Sequence, residues 1–207
     1  MSYFKKLNLP SNPLKNSKEI SQRNITAGYN IVLPDVLTDE VLDIFASIAL
    51  RPKMVVLFGK NTKEVNPDER LIHTDVALDR TLESPWRKLV AGVNWEIEGS
   101  HNDFFWYDMG EIKECWPNEV LSSGSKFIYL NGIHYGERLK MGIPDIAKIL
   151  DKTTIDGPTL VRTDIPHATL YNNPTTTRVG VSVRFFEEDF NHSWNNALEK
   201  FSSIIKE

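Results

Sequence analysis

The segment Leu89-Val-Ala-Gly-Val-Asn-Trp-Glu-Ile97 decides the fold class, because apolar residues recur at every second position. Its odd-numbered positions are all apolar, whereas Asn94 and Glu96 belong to the other set. Successive side chains of a β-strand point to opposite faces, so this pattern predicts a strand with one apolar face.

Other segments carry strand signals of the same kind. They are residues 54–58, 71–78, 104–107, 126–130, 159–165 and 179–186. Apolar residues at helical spacing predict helices at 38–50, where Thr38 is the expected N-cap, and near the C-terminus from Trp194. A short helix is predicted at 143–150 and another at 17–24. The chain is therefore expected to be mainly β with flanking helices, either a barrel or a double-stranded β-helix of the jelly-roll or cupin-like type.

The organisation along the chain predicts a single domain, 1–207. Residues 1–52 form an N-terminal extension with a helix, residues 53–188 the double-stranded β-helix core, and residues 189–207 the C-terminal helix. Internal repeats and low-complexity linkers are absent from the sequence.

Composition excludes several classes of protein. The formal charge of −4 disfavours a nucleic-acid-binding protein, which is usually basic. The single cysteine, Cys115, permits no intrachain disulfide. Apolar runs fall short of the roughly 18–20 residues that span a bilayer, and the N-terminus has no signal-peptide core. These features predict a cytoplasmic protein with no membrane partner. The oligomeric state has no signal in the sequence.

A candidate metal site begins with the run Leu71-Ile-His-Thr-Asp-Val-Ala-Leu78. Strand alternation places His73 and Asp75 on one face, with Cα atoms about 7 Å apart. An imidazole and a carboxylate at that spacing can reach one metal ion. The alternative is a histidine and an aspartate on the surface of a half-exposed strand, and a bare His-x-Asp pair is common by chance.

Two further candidates lie in the second half of the chain. His167 follows Pro166, and Arg178 stands 11 residues after His167 at the start of a β-branched strand. Ser182 and Arg184 share the face of Arg178 by alternation. An inward-pointing guanidinium needs a charged partner, and a carboxylate is its natural bidentate ligand. The alternative is an Arg178 exposed at the rim or paired with Asp164.

This ordered set of His73-Thr74-Asp75, His167 and Arg178 resembles the 2-oxoglutarate/Fe(II)-dependent dioxygenase superfamily. The surrounding residues resemble small phage- and bacterial-type members, some of them assigned as aspartyl or asparaginyl hydroxylases. The likeness covers residues 71–186. One departure concerns the Arg-x-Ser motif of many members, because Gly180 occupies the serine position and Ser182 follows two residues later.

The resemblance implies a catalytic Fe(II) held by His73, Asp75 and His167, with 2-oxoglutarate as cosubstrate and O₂ as oxidant. It implies that Arg178 binds the far carboxylate of 2-oxoglutarate, with Ser182 and Asn94 as further contacts. A hydrogen-bonded strand asparagine is an equal alternative for Asn94. The expected activity is hydroxylation, with a peptide or protein side chain favoured over a small metabolite.

Two other functions stay open at this level. One is a cupin-like metalloenzyme that uses the same ligands without 2-oxoglutarate, and the other is a non-enzymatic β-sandwich binding protein. His101-Asn-Asp103 repeats the His-x-Asp spacing but is interpreted as a loop. His134 and His192 are interpreted as surface histidines.

Overall fold

The architecture comes from a computed structural model. It describes residues 2–16, 29–60, 72–79, 86–99, 102–112, 114–115, 127–135, 147–170, 178–185 and 187–207. The helix predicted at 17–24 lies outside these ranges.

Within the described residues, one α-helix lies in the N-terminal extension and one near the C-terminus, as predicted. Helix α1 (Asp39–Ser47) begins after Thr38, whose hydroxyl accepts a hydrogen bond from the Val41 amide at 3.3 Å. Acidic residues occupy its first turn, where they complement the helix dipole. Helix α2 (Trp194–Phe201) buries three side chains, Trp194, Ala197 and Phe201. Short 3-10 turns lie at Pro34–Val36, Glu187–Phe190 and Ser202–Ile204.

The other elements of the described residues are strands. They are β1 (Phe4–Lys6), β2 (Tyr29–Val32), β3 (Met54–Lys60), β4 (His73–Asp79), β5 (Trp86–Lys88), β6 (Ala91–Glu98), β7 (Asn102–Asp108), β8 (Glu114–Cys115), β9 (Phe127–Tyr135), β10 (Lys148–Ile155), β11 (Thr159–Arg162), β12 (His167–Leu170) and β13 (Arg178–Arg184).

The strands form two antiparallel sheets, so the prediction of a mainly β protein is confirmed. The first sheet has the order β1-β11-β6-β13-β3-β2. The second has the order β10-β7-β12-β4-β9-β8, with β5 paired to β4. This arrangement is consistent with a β-sandwich.

The two faces of the first sheet differ sharply in character. One face contributes Val93, Trp95, Val181 and Val183 to an apolar core shared with both helices. The opposite face carries Gly92, Asn94, Ser182 and Arg184, and Arg184 contacts a residue of the second sheet. The helices therefore pack on the outer face, and the polar face lies between the sheets.

Three predictions of local structure were wrong. Residues 143–150 were expected to be helical, but 148–155 form β10, which pairs with β7. Asn102 and Asp103 were assigned to a loop, yet they begin β7 after a turn at Gly99, whose φ is +103°. The N-terminal extension was predicted to contain helix and no strand, but it contributes β1 and β2 to the first sheet. Within the described residues, the helices are too short and too polar to cross a bilayer.

Candidate metal centre

Strand pairing brings the two predicted histidines together. His73 begins β4 and His167 begins β12, and the two are direct partners in the antiparallel register. Their ring centroids are 4.6 Å apart. Directly opposed residues of a sheet share a face, which accounts for the closeness of the two rings.

Asp75 lies at an irregularity of the sheet. The β4–β9 register shifts between Thr74 and Val76, so Asp75 leaves the regular ladder. Its amide instead donates to the Thr163 carbonyl at 3.0 Å, and its own carbonyl accepts from the Leu89 amide at 2.8 Å. The backbone at this position is therefore held by two segments outside β9.

The three side chains form a compact group of ligand atoms. One atom from each of His73, Asp75 and His167 lies within 4.8 Å of the others. Asp75 Oδ1 is 3.5 Å from His73 Nε2 and 3.7 Å from His167 Nε2. Ligands about 2.1 Å from a shared ion lie roughly 3–3.5 Å from one another, so these separations suit one metal ion.

Burial differs among the three residues. The side chains of Asp75 and His167 are 1% and 3% exposed, whereas that of His73 is 16% exposed. The alternative of a histidine and an aspartate on the surface therefore fails for Asp75. His73 lies on the side of the cluster that solvent reaches.

A hydrogen bond determines which nitrogen of His167 is available to a metal ion. Its Nδ1 is 2.8 Å from the Ile165 carbonyl oxygen, which can only accept, so Nδ1 carries the proton. The lone pair is left on Nε2, the nitrogen that faces Asp75. Phe104 stacks on the same ring at 4.9 Å and fixes its plane. Such outer contacts are typical of metal-ligating histidines.

Charge at the centre favours metal-binding protonation states. Burial alone would raise the pKa of the Asp75 carboxyl, but the Arg184 guanidinium and the two histidines hold it well below its usual 3.8. Burial, with His73 nearby, lowers the pKa of His167 below 6.5 against the opposing effect of Asp75. A carboxylate and a neutral imidazole are the forms that bind metal.

Arg184 also belongs to this cluster, although nothing in the sequence pattern predicts its contact with Asp75. Its Nη2 lies 2.5 Å from Asp75 Oδ2, and both side chains are almost fully buried. Alternation predicted its face correctly. The contact itself depends on which residue of the facing sheet lies opposite, and a single sequence does not contain that information.

Two of the predicted cosubstrate residues, Arg178 and Ser182, lie on β13, and the third, Asn94, lies on the neighbouring β6. The Ser182 hydroxyl donates to Asn94 Oδ1 across the β13–β6 pair, so Asn94 is a hydrogen-bonded strand residue on the inner face. Arg178 begins β13 opposite Lys60 of β3, about 20 Å from Arg184 by strand rise. Asp164, the alternative partner considered for Arg178, is bound by Arg162 through two hydrogen bonds of 2.7 and 3.0 Å.

The other histidines are placed as follows. His192 is exposed beyond β13, in a left-handed conformation with φ of +54°. His134 lies in β9, and its backbone is the register partner of His73 on one side and of Cys115 on the other. Its interpretation as a surface histidine stays a prediction. His101 lies outside the described residues.

The chain was compared with protein-family models and with curated proteins. No protein-family model matches the chain, and no curated protein matches it significantly.

Proposed function

We propose that this protein is an Fe(II)/2-oxoglutarate-dependent oxygenase. The observation that carries the proposal is the His73–Asp75–His167 cluster, with its ligand atoms within 4.8 Å of one another. Two imidazoles and one carboxylate form the facial triad of non-haem Fe(II) oxygenases, in which the remaining positions stay open. The donor set therefore fits Fe(II).

The strand order supports a double-stranded β-helix as the finer description of the sandwich. Four strand pairs are nested in the sequence. β3 pairs with β13, and the segment between them contains the pairs β4 with β12, β6 with β11 and β7 with β10, each enclosed by the one before. The first and third of these pairs lie in one sheet, and the second and fourth in the other. This is the pairing of one long hairpin wound into two sheets, as in jelly rolls and cupins.

The inner face of β13 suits a dianionic cosubstrate. Arg184 ends the strand beside the His73–Asp75–His167 cluster, and Arg178, which the sequence pattern predicts on the same face, begins it. Between them the face carries Gly180, which fills little space, and Ser182 with its partner Asn94. In this proposal 2-oxoglutarate lies along the strand, its keto acid end at the metal and its far carboxylate with Arg178.

Each residue then has a defined task. His73, Asp75 and His167 would hold Fe(II), which when bound supplies O₂ activation coupled to conversion of 2-oxoglutarate into succinate and CO₂. One oxygen atom enters succinate and the other becomes the hydroxyl of a substrate C–H. The buried Asp75 and His167 keep water from two sides of the metal, and the more exposed His73 marks the side from which substrate approaches.

The test is succinate formation from 2-oxoglutarate by purified protein under air. Turnover is expected to need Fe(II) and to vanish in His73→Ala and Asp75→Ala. The matched control is His192→Asn, which removes an exposed histidine outside the cluster and keeps a residue that tolerates positive φ. Turnover that survives both cluster substitutions refutes the proposal.

The two other functions give different results in the same experiment. A cupin-like metalloenzyme without 2-oxoglutarate would bind metal through the cluster but form no succinate. A non-enzymatic sandwich would do neither.

A further inference from the structure

Arg184 crosses the sandwich to reach the metal cluster. It is the last residue of β13 in the first sheet, and its guanidinium contacts Asp75 of β4 in the second. The Arg184 and Asp75 side chains are 4% and 1% exposed. A contact between two charges so far from solvent is costly to form unless its geometry is good.

The chain makes room for this crossing at one position. Gly92 of β6 is the register partner of Arg184, and a Cβ placed there would lie 2.9 Å from the Arg184 Cζ. Any other residue at position 92 would push the guanidinium away from its present place. The glycine and the arginine therefore work as a pair.

The contact divides the two oxygens of the carboxylate. Oδ2 lies against Arg184, whereas Oδ1 faces the Nε2 atoms of His73 and His167. A carboxylate with both oxygens available can chelate a metal through two atoms and close a coordination position. Here Oδ2 forms the ion pair with the guanidinium, so Oδ1 is the oxygen that would be presented to a metal ion.

We propose that Arg184 is a positioning residue that holds Asp75 as a one-oxygen metal ligand, with Gly92 providing the space for its guanidinium. The inference rests on the proposed metal centre and adds a role that the sequence resemblance does not assign. It explains why a cation is placed beside a site meant for another cation. The metal affinity gained by orienting Asp75 outweighs the affinity lost through repulsion between the guanidinium and the metal ion.

The balance between orientation and repulsion determines whether removal of Arg184 lowers or raises the affinity for metal. If only Coulomb forces mattered, removal of Arg184 would strengthen the binding of a divalent ion, because the positive guanidinium would no longer repel it. If Arg184 positions Asp75, its removal weakens binding by roughly 10–100-fold, the usual effect of losing an outer contact to a ligand. The two roles therefore predict opposite changes.

The measurement is Mn(II) affinity of the full chain, by isothermal titration calorimetry, in wild type, Arg184→Gln and Arg184→Lys. Arg184→Gln is expected to lose affinity in the range given above, and Arg184→Lys, which keeps the charge, to lose less and to stay folded. The control is Lys15→Gln, since Lys15 forms an ion pair with Asp39 at the start of α1, outside the cluster and its hydrogen-bond partners. Its Mn(II) affinity is expected to match wild type.

A second variant tests the same contact without altering any charged residue. Gly92→Ala is expected to reduce Mn(II) affinity in the wild-type chain. In an Arg184→Ala background the added methyl has no guanidinium to displace, so Gly92→Ala is expected to have no further effect. This non-additivity separates positioning from general damage.

The outcomes that overturn the role are distinct from those that overturn the metal centre. Equal or higher Mn(II) affinity in the Arg184 variants, with lowered thermal stability, would make the pair purely structural and leave the metal centre intact. Additive effects of Gly92→Ala and Arg184→Ala would also reject the role. Failure of the wild-type chain to bind Mn(II) would reject the metal centre and, with it, the role of Arg184.

Discussion

His73 and His167 face each other directly across the β4–β12 pair, with ring centroids 4.6 Å apart. Each is the first residue of its strand. The pairing turns two residues that are distant in sequence into neighbours on one face. Strand pairing therefore positions the two histidines of the candidate metal centre.

The first prediction concerns the proton on His167. Because Nδ1 donates to the Ile165 carbonyl at 2.8 Å, the metal-free protein is expected to hold His167 as the Nδ1–H tautomer. Two-bond ¹⁵N–¹H correlation NMR of the imidazole distinguishes the two neutral tautomers. An Nε2–H tautomer at neutral pH would show that the wrong nitrogen faces the cluster.

Acid is expected to destabilise the metal-free protein through the same residue. Burial lowers the pKa of His167 below its usual 6.5, so the unfolded chain takes up a proton that the folded chain refuses. The free energy of unfolding therefore falls as the pH drops below about 6.5. Asp75 has a depressed pKa, so its own contribution is lost only at pH values below its ordinary 3.8.

Urea unfolding at pH 7.5, 6.5 and 5.5 measures this effect. Wild type is expected to lose stability between 6.5 and 5.5, and His167→Gln, which cannot titrate, to lose less. An identical pH dependence in both proteins would contradict the assignment.

Arg178 is predicted to act on the cosubstrate and not on the metal. Arg178→Ala should raise the half-saturating concentration of 2-oxoglutarate by about 10–100-fold, the effect of losing a hydrogen bond to a charged group. The requirement for Fe(II) should change little. Steady-state assays that vary each component separately make the comparison, with Arg178→Lys as the charge-retaining control. Equal changes in both requirements would place Arg178 elsewhere.

Ser182 is predicted to stabilise the inner face more than it binds cosubstrate. Its buried hydroxyl donates to Asn94, so Ser182→Ala leaves the Asn94 oxygen without that donor and costs about 1–3 kcal/mol of unfolding free energy. Chemical denaturation measures the loss, and Ser47→Ala on an exposed part of α1 is the control. A large rise in the 2-oxoglutarate requirement with unchanged stability would assign Ser182 to the cosubstrate instead.

Much of the secondary structure could be predicted because it depends on interactions between residues that are close in sequence. Thr38 as N-cap, the helix from Trp194 and the alternation around Val93 all depend on neighbours along the chain. The shared face of His73 and Asp75 was predicted in the same way. These features need no knowledge of distant partners.

What the sequence missed depends on distant partners. Strand β1 is only three residues long and is stabilised by its pairing with β11. The segment 148–155 forms β10 because it pairs with β7, although a short helix was predicted at 143–150. The contact between Arg184 and Asp75 depends on how the two sheets face each other. The residue pattern along one strand predicts which face a side chain lies on. It does not predict which residue of the other sheet that side chain contacts.

The most direct test of the central claim is anaerobic titration of the Fe(II)-loaded protein with 2-oxoglutarate, followed by visible absorption. Chelation of Fe(II) by the keto acid gives a charge-transfer band, and no substrate is needed to observe it. A saturable band with one equivalent of 2-oxoglutarate is expected, lost in His167→Ala and shifted to higher concentrations in Arg178→Ala. Absence of the band in wild-type protein that has bound Fe(II) would contradict the account.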